Sequence, residues 1–146
     1  MNIFKKLFKD TDESSHKNDV DENLRLATCI LLIEVSKSDD NFDLEEQKKI
    51  QSLIKSKFNL SDSQIEHLFT LSKDKHNEMT SLYEWTDIIN SECSYEQKLT
   101  IIGFMWDIAF TDERLDKYED YTIRKVCDLI HVKHVDFINL KNQRTI

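Results

Sequence analysis

Two acidic phrases carry most of the side chains that could do chemistry in this chain: "DDNFDLEEQKKI" at residues 39 to 50 and "DERLDKYEDYTI" at residues 112 to 123. A shift of 73 residues (112 − 39) lays one on the other, matching Asp39 with Asp112, Asp40 with Glu113, Asp43 with Asp116 and Glu46 with Glu119. The neighbours stay in step: Glu34 falls on Asp107, Val35 on Ile108, Ser36 on Ala109, Phe42 on Leu115 and Ile50 on Ile123. Hard carboxylate oxygens of this kind suit a divalent cation such as calcium or magnesium. The spacing is not that of an EF-hand. With Asp39 at loop position 1, Leu44 stands where glycine is needed and Ile50 where the bidentate glutamate is needed, and Asp112 meets Lys117 and Ile123 at the same places.

Part of the acidity has a local explanation. Asp43 and Asp116 are expected at helix N-caps, with Glu46 and Glu119 three residues on as capping partners. Asp39, Asp40, Asp112 and Glu113 follow the C-terminal end of a helix, where the macrodipole already presents negative charge. Two readings stay open for these four. They bind a divalent cation (calcium, magnesium, manganese or zinc), or they accept backbone N–H bonds in their own turns and pair with Lys37 or Arg114.

Other chemistry is thin. His131 and His134 lie three apart across an expected turn without a carboxylate or cysteine at ligand spacing, so capping or packing suits them better. His16, His67 and His76 stand alone in polar stretches and read as ordinary surface histidines. Cys29, Cys93 and Cys127 lack metal-ligand spacing, and two of them sit in the apolar runs "ATCILL" and "KVCDLI". No Gly-rich phosphate loop and no nucleophile with a recognisable base is present. A net charge of −8 would repel a phosphate backbone, so no nucleic-acid partner is expected.

The elements that must position the acidic phrases are helices. The chain has no proline and a single glycine, which leaves little for hairpin turns. Capping signals (Asp19 with Glu22, Asp43 with Glu46, Ser61 with Gln64, Ser81 with Glu84, Ser94 with Gln97, Asp116 with Glu119) predict helices over about 22–37, 44–58, 62–72, 81–90, 95–110, 117–130 and 134–143. Two segments, "LATCILLIEV" and "LTIIGFMWDIAF", are apolar nearly all round and belong at the centre, crossing at Gly103. Tyr83, Trp85, Phe104, Trp106 and Phe110 follow helical spacing and are expected in the core, with any exposed members available to a partner groove. The expected fold is an all-α, compact bundle of about seven helices with internal pseudo-twofold duplication around two central buried helices, over residues 22–146.

Residues 1–21 form an expected arm and linker. Ile3, Phe4, Leu7 and Phe8 share one helical face and Lys5, Lys6 and Lys9 the other, which suits a membrane-surface or partner tether, or else an arm that folds back on its own domain or stays disordered. No window reaches the ~18 apolar residues of a membrane span, and "MNIFKKLFKD" lacks the pattern of a signal peptide.

The phrases "LLIEVSKSDDNFDLEEQKKI", "LYEWTDII", "MWDIAFTDERLDKYEDYTIRKVCDLIHV" and "HVDFINLKNQ" resemble the TerB-like tellurite-resistance family, from about Leu24 to Gln143. The resemblance implies a duplicated all-α bundle in bacterial cytoplasm. Its suspected metal ligands fall here on Asp39, Asp43, Glu46, Asp112, Asp116 and Glu119. Related domains stand beside membrane-linked stress and phage-defence complexes and at the N-terminus of a membrane-bound J-domain co-chaperone. Where the family usually has Asp-Gly in the turn, this chain has Asp39-Asp40 and Asp112-Glu113, and the proline of a J-domain signature is missing. The expectation is a non-enzymatic, cytoplasmic module acting on a protein partner, at the inner membrane or in solution, through a divalent cation or an acidic face. A cation-dependent hydrolase and a membrane-surface adaptor using residues 3–9 are the alternatives.

Overall fold

Ser61 and Ser94 start two helices in the same way. Each serine Oγ accepts the N–H of the glutamine three residues on, at 3.2 Å in both, and the Gln64 and Gln97 Oε1 atoms accept the serine N–H groups at 2.8 and 2.7 Å. Each box satisfies two donors that a helix start would otherwise leave unmade. The computed structural model describes residues 15–37, 44–110 and 117–144. Seven helices follow one another through them: α1 (Ser15–Lys37), α2 (Leu44–Phe58), α3 (Asp62–Glu78), α4 (Tyr83–Glu92), α5 (Tyr95–Ala109), α6 (Lys117–Leu129) and α7 (His134–Asn142). No strand occurs among the described residues, and the packing is that of an all-α bundle.

α1 is the centre. Leu24, Ala27 and every apolar residue from Cys29 to Val35 are fully buried, because α2, α3, α4, α5 and α6 all pack on it. Each such Leu or Ile contributes about 1.5–3 kcal/mol. α5 is the second buried helix, with Ile102, Met105 and Trp106 sealed, and it packs on α1, α2, α6 and α7. α2 therefore rests on both α1 and α5, and so does α6. Hydroxyls inside this core turn back to their own helix: Thr28 to the Leu24 carbonyl at 2.8 Å and Ser72 to that of Leu68 at 2.7 Å.

The two outer helices α2 and α6 also stop alike. Asn59 and His131 adopt left-handed backbone, with φ of 58° and 63°. The Leu60 N–H then reaches the Lys55 carbonyl and the Val132 N–H the Cys127 carbonyl, each at 2.9 Å, while Leu60 and Val132 turn inward. This is the Schellman closure made without glycine.

Several expectations change. α1 starts at Ser15, so Asp19 lies inside the helix rather than at its N-cap. α3 runs on to Glu78 instead of ending near residue 72, and His76 in the added turn faces Glu34 of α1. α4 begins at Tyr83 after Leu82. Ser81 is not its N-cap, although its Oγ accepts the Tyr83 N–H at 3.3 Å. Gly103 does not answer to a helix crossing. The atoms nearest an added Cβ belong to the Arg144 guanidinium, with Nη2 at 2.6 Å, so the glycine makes room for that side chain.

Candidate functional site

The last turns of α1 and α5 each deliver one carboxylate just ahead of the acidic phrases, and each meets a nitrogen of a distant side chain. Glu34 Oε1 lies 2.7 Å from His76 Nε2 of α3, and Asp107 Oδ1 accepts the Arg144 Nε–H at 2.7 Å. All four side chains are about a third exposed or less. The hydrogen bond to His76 holds the Glu34 carboxyl below its ordinary range, with added pull from the charges of His76, Lys125 and Lys37. Those effects outweigh burial, which acts the other way. His76 is thus no surface histidine. Its Nδ1 is buried without a hydrogen-bond partner among the described residues. Lys37 Nζ donates to Asn77 Oδ1 at 3.3 Å and ties the same two helix ends together.

Beyond the acidic turns, Glu46 and Glu119 lie in the first turns of α2 and α6, only 2% and 4% exposed. Carboxylates there are favoured by the positive ends of the two helices. Asp39, Asp40, Asp43, Asp112, Glu113 and Asp116 lie outside the described residues, as does Arg114. The structure therefore places Glu46 and Glu119 of the eight candidate ligands. It also adds Glu34, His76, Asp107 and Arg144, which sequence reasoning had not joined. The only hint available was that Glu34 and Asp107 align at the 73-residue shift.

The remaining candidates pack. His134 opens α7 and stacks on Phe137, with centroids 5.6 Å apart, while Phe137 lies 5.1 Å from Trp106. Trp85, Phe104 and Trp106 are buried, Phe110 is half-buried, and Tyr83 stands exposed. The cysteines are free thiols. Burial pushes Cys29 and Cys127 up to about 12 and Cys93 to about 11, so none is a thiolate nucleophile at neutral pH. Among the described residues no three His, Cys, Asp or Glu side chains converge on a metal position, and nothing in them favours a hydrolase. No helix of the described residues is long and apolar enough to cross a membrane.

No curated protein and no solved structure gives a match to the chain. The family of the tellurite resistance protein TerB matches residues 25–142 of the 146, from the centre of α1 to the end of α7 and across both acidic phrases, so the chain belongs to the TerB family.

Proposed function

We propose that this TerB-family chain is a non-catalytic docking module whose two acidic turns bind a divalent cation and present a cation-dependent surface to a protein partner in the bacterial cytoplasm. The ligands in this reading are drawn from Asp39, Asp40, Asp43 and Glu46 in the first turn and Asp112, Glu113, Asp116 and Glu119 in the second. The observation that carries it is the burial of Glu46 and Glu119 at matching positions within the two acidic phrases, each in the first turn of a helix. Both carboxylates already interact within the protein, so their burial supports the reading by its symmetry and not by an unmet charge. Packing supports the same reading: α6, which carries Glu119, rests on α1, which leads into Asp39, and Lys125 of α6 is near enough to act on Glu34. An internal duplication of the helix, acidic turn and helix unit belongs to this proposal, and the matched closures at Asn59 and His131 support it.

Oxygen ligands of this number favour calcium or magnesium over softer ions. The bound ion would relieve the repulsion among carboxylates at two helix C-termini and order the turns that a partner touches. Pull-downs from the native cell test this with wild type and Asp39→Asn/Asp112→Asn, each with added calcium or with chelator. The expected result is one partner lost both on mutation and on chelation. Capture that ignores both treatments would remove the cation from the account.

A further inference from the structure

α1 and α3 leave a cleft of about 280 Å³ between them. Its apolar lining is Leu26 of α1, Leu60 in the α2–α3 turn, and Leu68 and Leu71 of α3, while Glu22 and Gln64 are among its polar residues. Leu26 and Leu60 are 8% exposed and Leu71 is 36% exposed, so the apolar surface runs from the core out to water. Clefts of this build accept one face of an amphipathic helix, with side chains at i and i+3 or i+4 as anchors.

We propose that the occupant is the chain's own N-terminal segment, with Ile3, Phe4, Leu7 and Phe8 seated among the four leucines and Lys5, Lys6 and Lys9 turned toward water and Glu22. Three observations argue for this segment. Its apolar residues fall at the anchor spacing, and it supplies two phenyl rings to a lining whose apolar residues are all leucine. Its three lysines suit a chain of net charge −8, and the cleft wall offers them Glu22 as well as Arg25 and His67, which leaves the lysines to face water. It also reaches. α1 rises about 10 Å between Ser15 and Glu22, and the seven residues from Phe8 to Ser15 can span up to about 23–25 Å, enough to reverse and lie back along α1. A seated segment closes the cleft to any other helix and keeps its own apolar face from lipid. Cleft and segment become available to partners together.

Leucine-methyl NMR on the full chain tests this by comparing wild type with Phe4→Asp/Leu7→Asp, and reciprocally with Leu71→Asp, a half-exposed site where the fold tolerates the change. Docking predicts that the first variant shifts the methyls of Leu26, Leu60, Leu68 and Leu71 and leaves those of Leu32 in place. It predicts that the second shifts the amides of residues 3–8. Groove methyls that ignore the first variant overturn the proposal. So do wild-type shifts that change on dilution, which would make the occupant a second copy. So does binding of the wild-type chain to phosphatidylcholine/phosphatidylglycerol vesicles with the groove methyls unmoved, which would make the segment a lipid anchor independent of the cleft.

Discussion

The helix ends that lead into the two acidic turns each place one carboxylate in their last turn and are fastened with different chemistry. Glu34 at the end of α1 is held by His76, which projects from a long helix, α3, that starts with a complete capping box. Asp107 at the end of α5 is held by Arg144, which lies beyond a short helix, α7, whose N-cap Lys133 has no side-chain cap bond. There Tyr95 Oη takes over, accepting the Lys133 N–H at 3.0 Å and donating to Asp136 Oδ2 at 2.5 Å. Lys141 secures α7 further, donating to Asp120 at 2.9 Å while its ammonium lies 5.4 Å from the Trp106 ring centroid. The first half is thus anchored by a long apolar face with a histidine–carboxylate clamp, and the second by aromatic stacking with guanidinium and ammonium contacts. Of the two clamped carboxyls, that of Glu34 is held below its ordinary range by its partner.

The sharpest way to break the comparison is in the core. Ile50 and Ile123 occupy equivalent places and are both fully buried. Ile50→Ala and Ile123→Ala should each cost about 2–5 kcal/mol in denaturant unfolding, and costs that differ by more than the uncertainty would show that the halves are packed differently after all.

A smaller effect separates the clamps. Arg144→Gln and His76→Gln should each destabilise by about 1 kcal/mol at neutral pH, since both pairs are partly exposed. Their pH behaviour should diverge. Glu34 has a depressed folded pKa, so its contribution is present above the unfolded value of about 4.3 and is lost as pH falls through the folded value. His76→Gln removes the main cause of that depression. The acid limb of its stability curve should therefore be shallower than wild type, whereas Arg144→Gln should keep the wild-type slope contributed by Glu34. Parallel acid limbs for wild type and His76→Gln would dismiss Glu34 as the acid-sensitive fastening.

The smallest effect concerns one hydroxyl. Ser36 is fully buried and its Oγ has no hydrogen-bond partner among the described residues, while Ala109 matches it at the 73-residue shift. Ser36→Ala should raise the melting temperature by about 2–4 °C, the equivalent of ~1 kcal/mol in a chain of this size. A drop would mean that the hydroxyl has a role the second half does without.

Much of this fold could be read from the chain because the signals were local. Ser61 with Gln64 and Ser94 with Gln97 mark helix starts by chemistry that acts within four residues, and the all-round apolar runs at 26–35 and 99–110 could only be central. The C-terminal closures at Asn59 and His131 carried no glycine to announce them, yet the hydrophobic pattern stopped at the right residues. The length of α3 was missed because polar residues there continue a helix that the contact of His76 with Glu34 holds to α1, and α1 starts earlier than its capping signal indicated. The clamps were not legible at all. Glu34 and His76 are 42 residues apart and Asp107 and Arg144 are 37 apart. Such pairings depend on how helices dock, which a single sequence encodes only weakly. Gly103 was noticed for the right reason, a close approach, and assigned to the wrong neighbour.

The central claim, that the paired acidic turns bind a divalent cation, is met most directly by thermal melts of wild type and Asp39→Asn/Asp112→Asn, titrated to millimolar calcium, magnesium, manganese or zinc. At tenfold over its dissociation constant a cation should stabilise wild type by about 1.4 kcal/mol, a rise of about 3–6 °C, with the variant unmoved. Wild-type melts that stay flat across all four cations, or a variant that rises just as far, would contradict it.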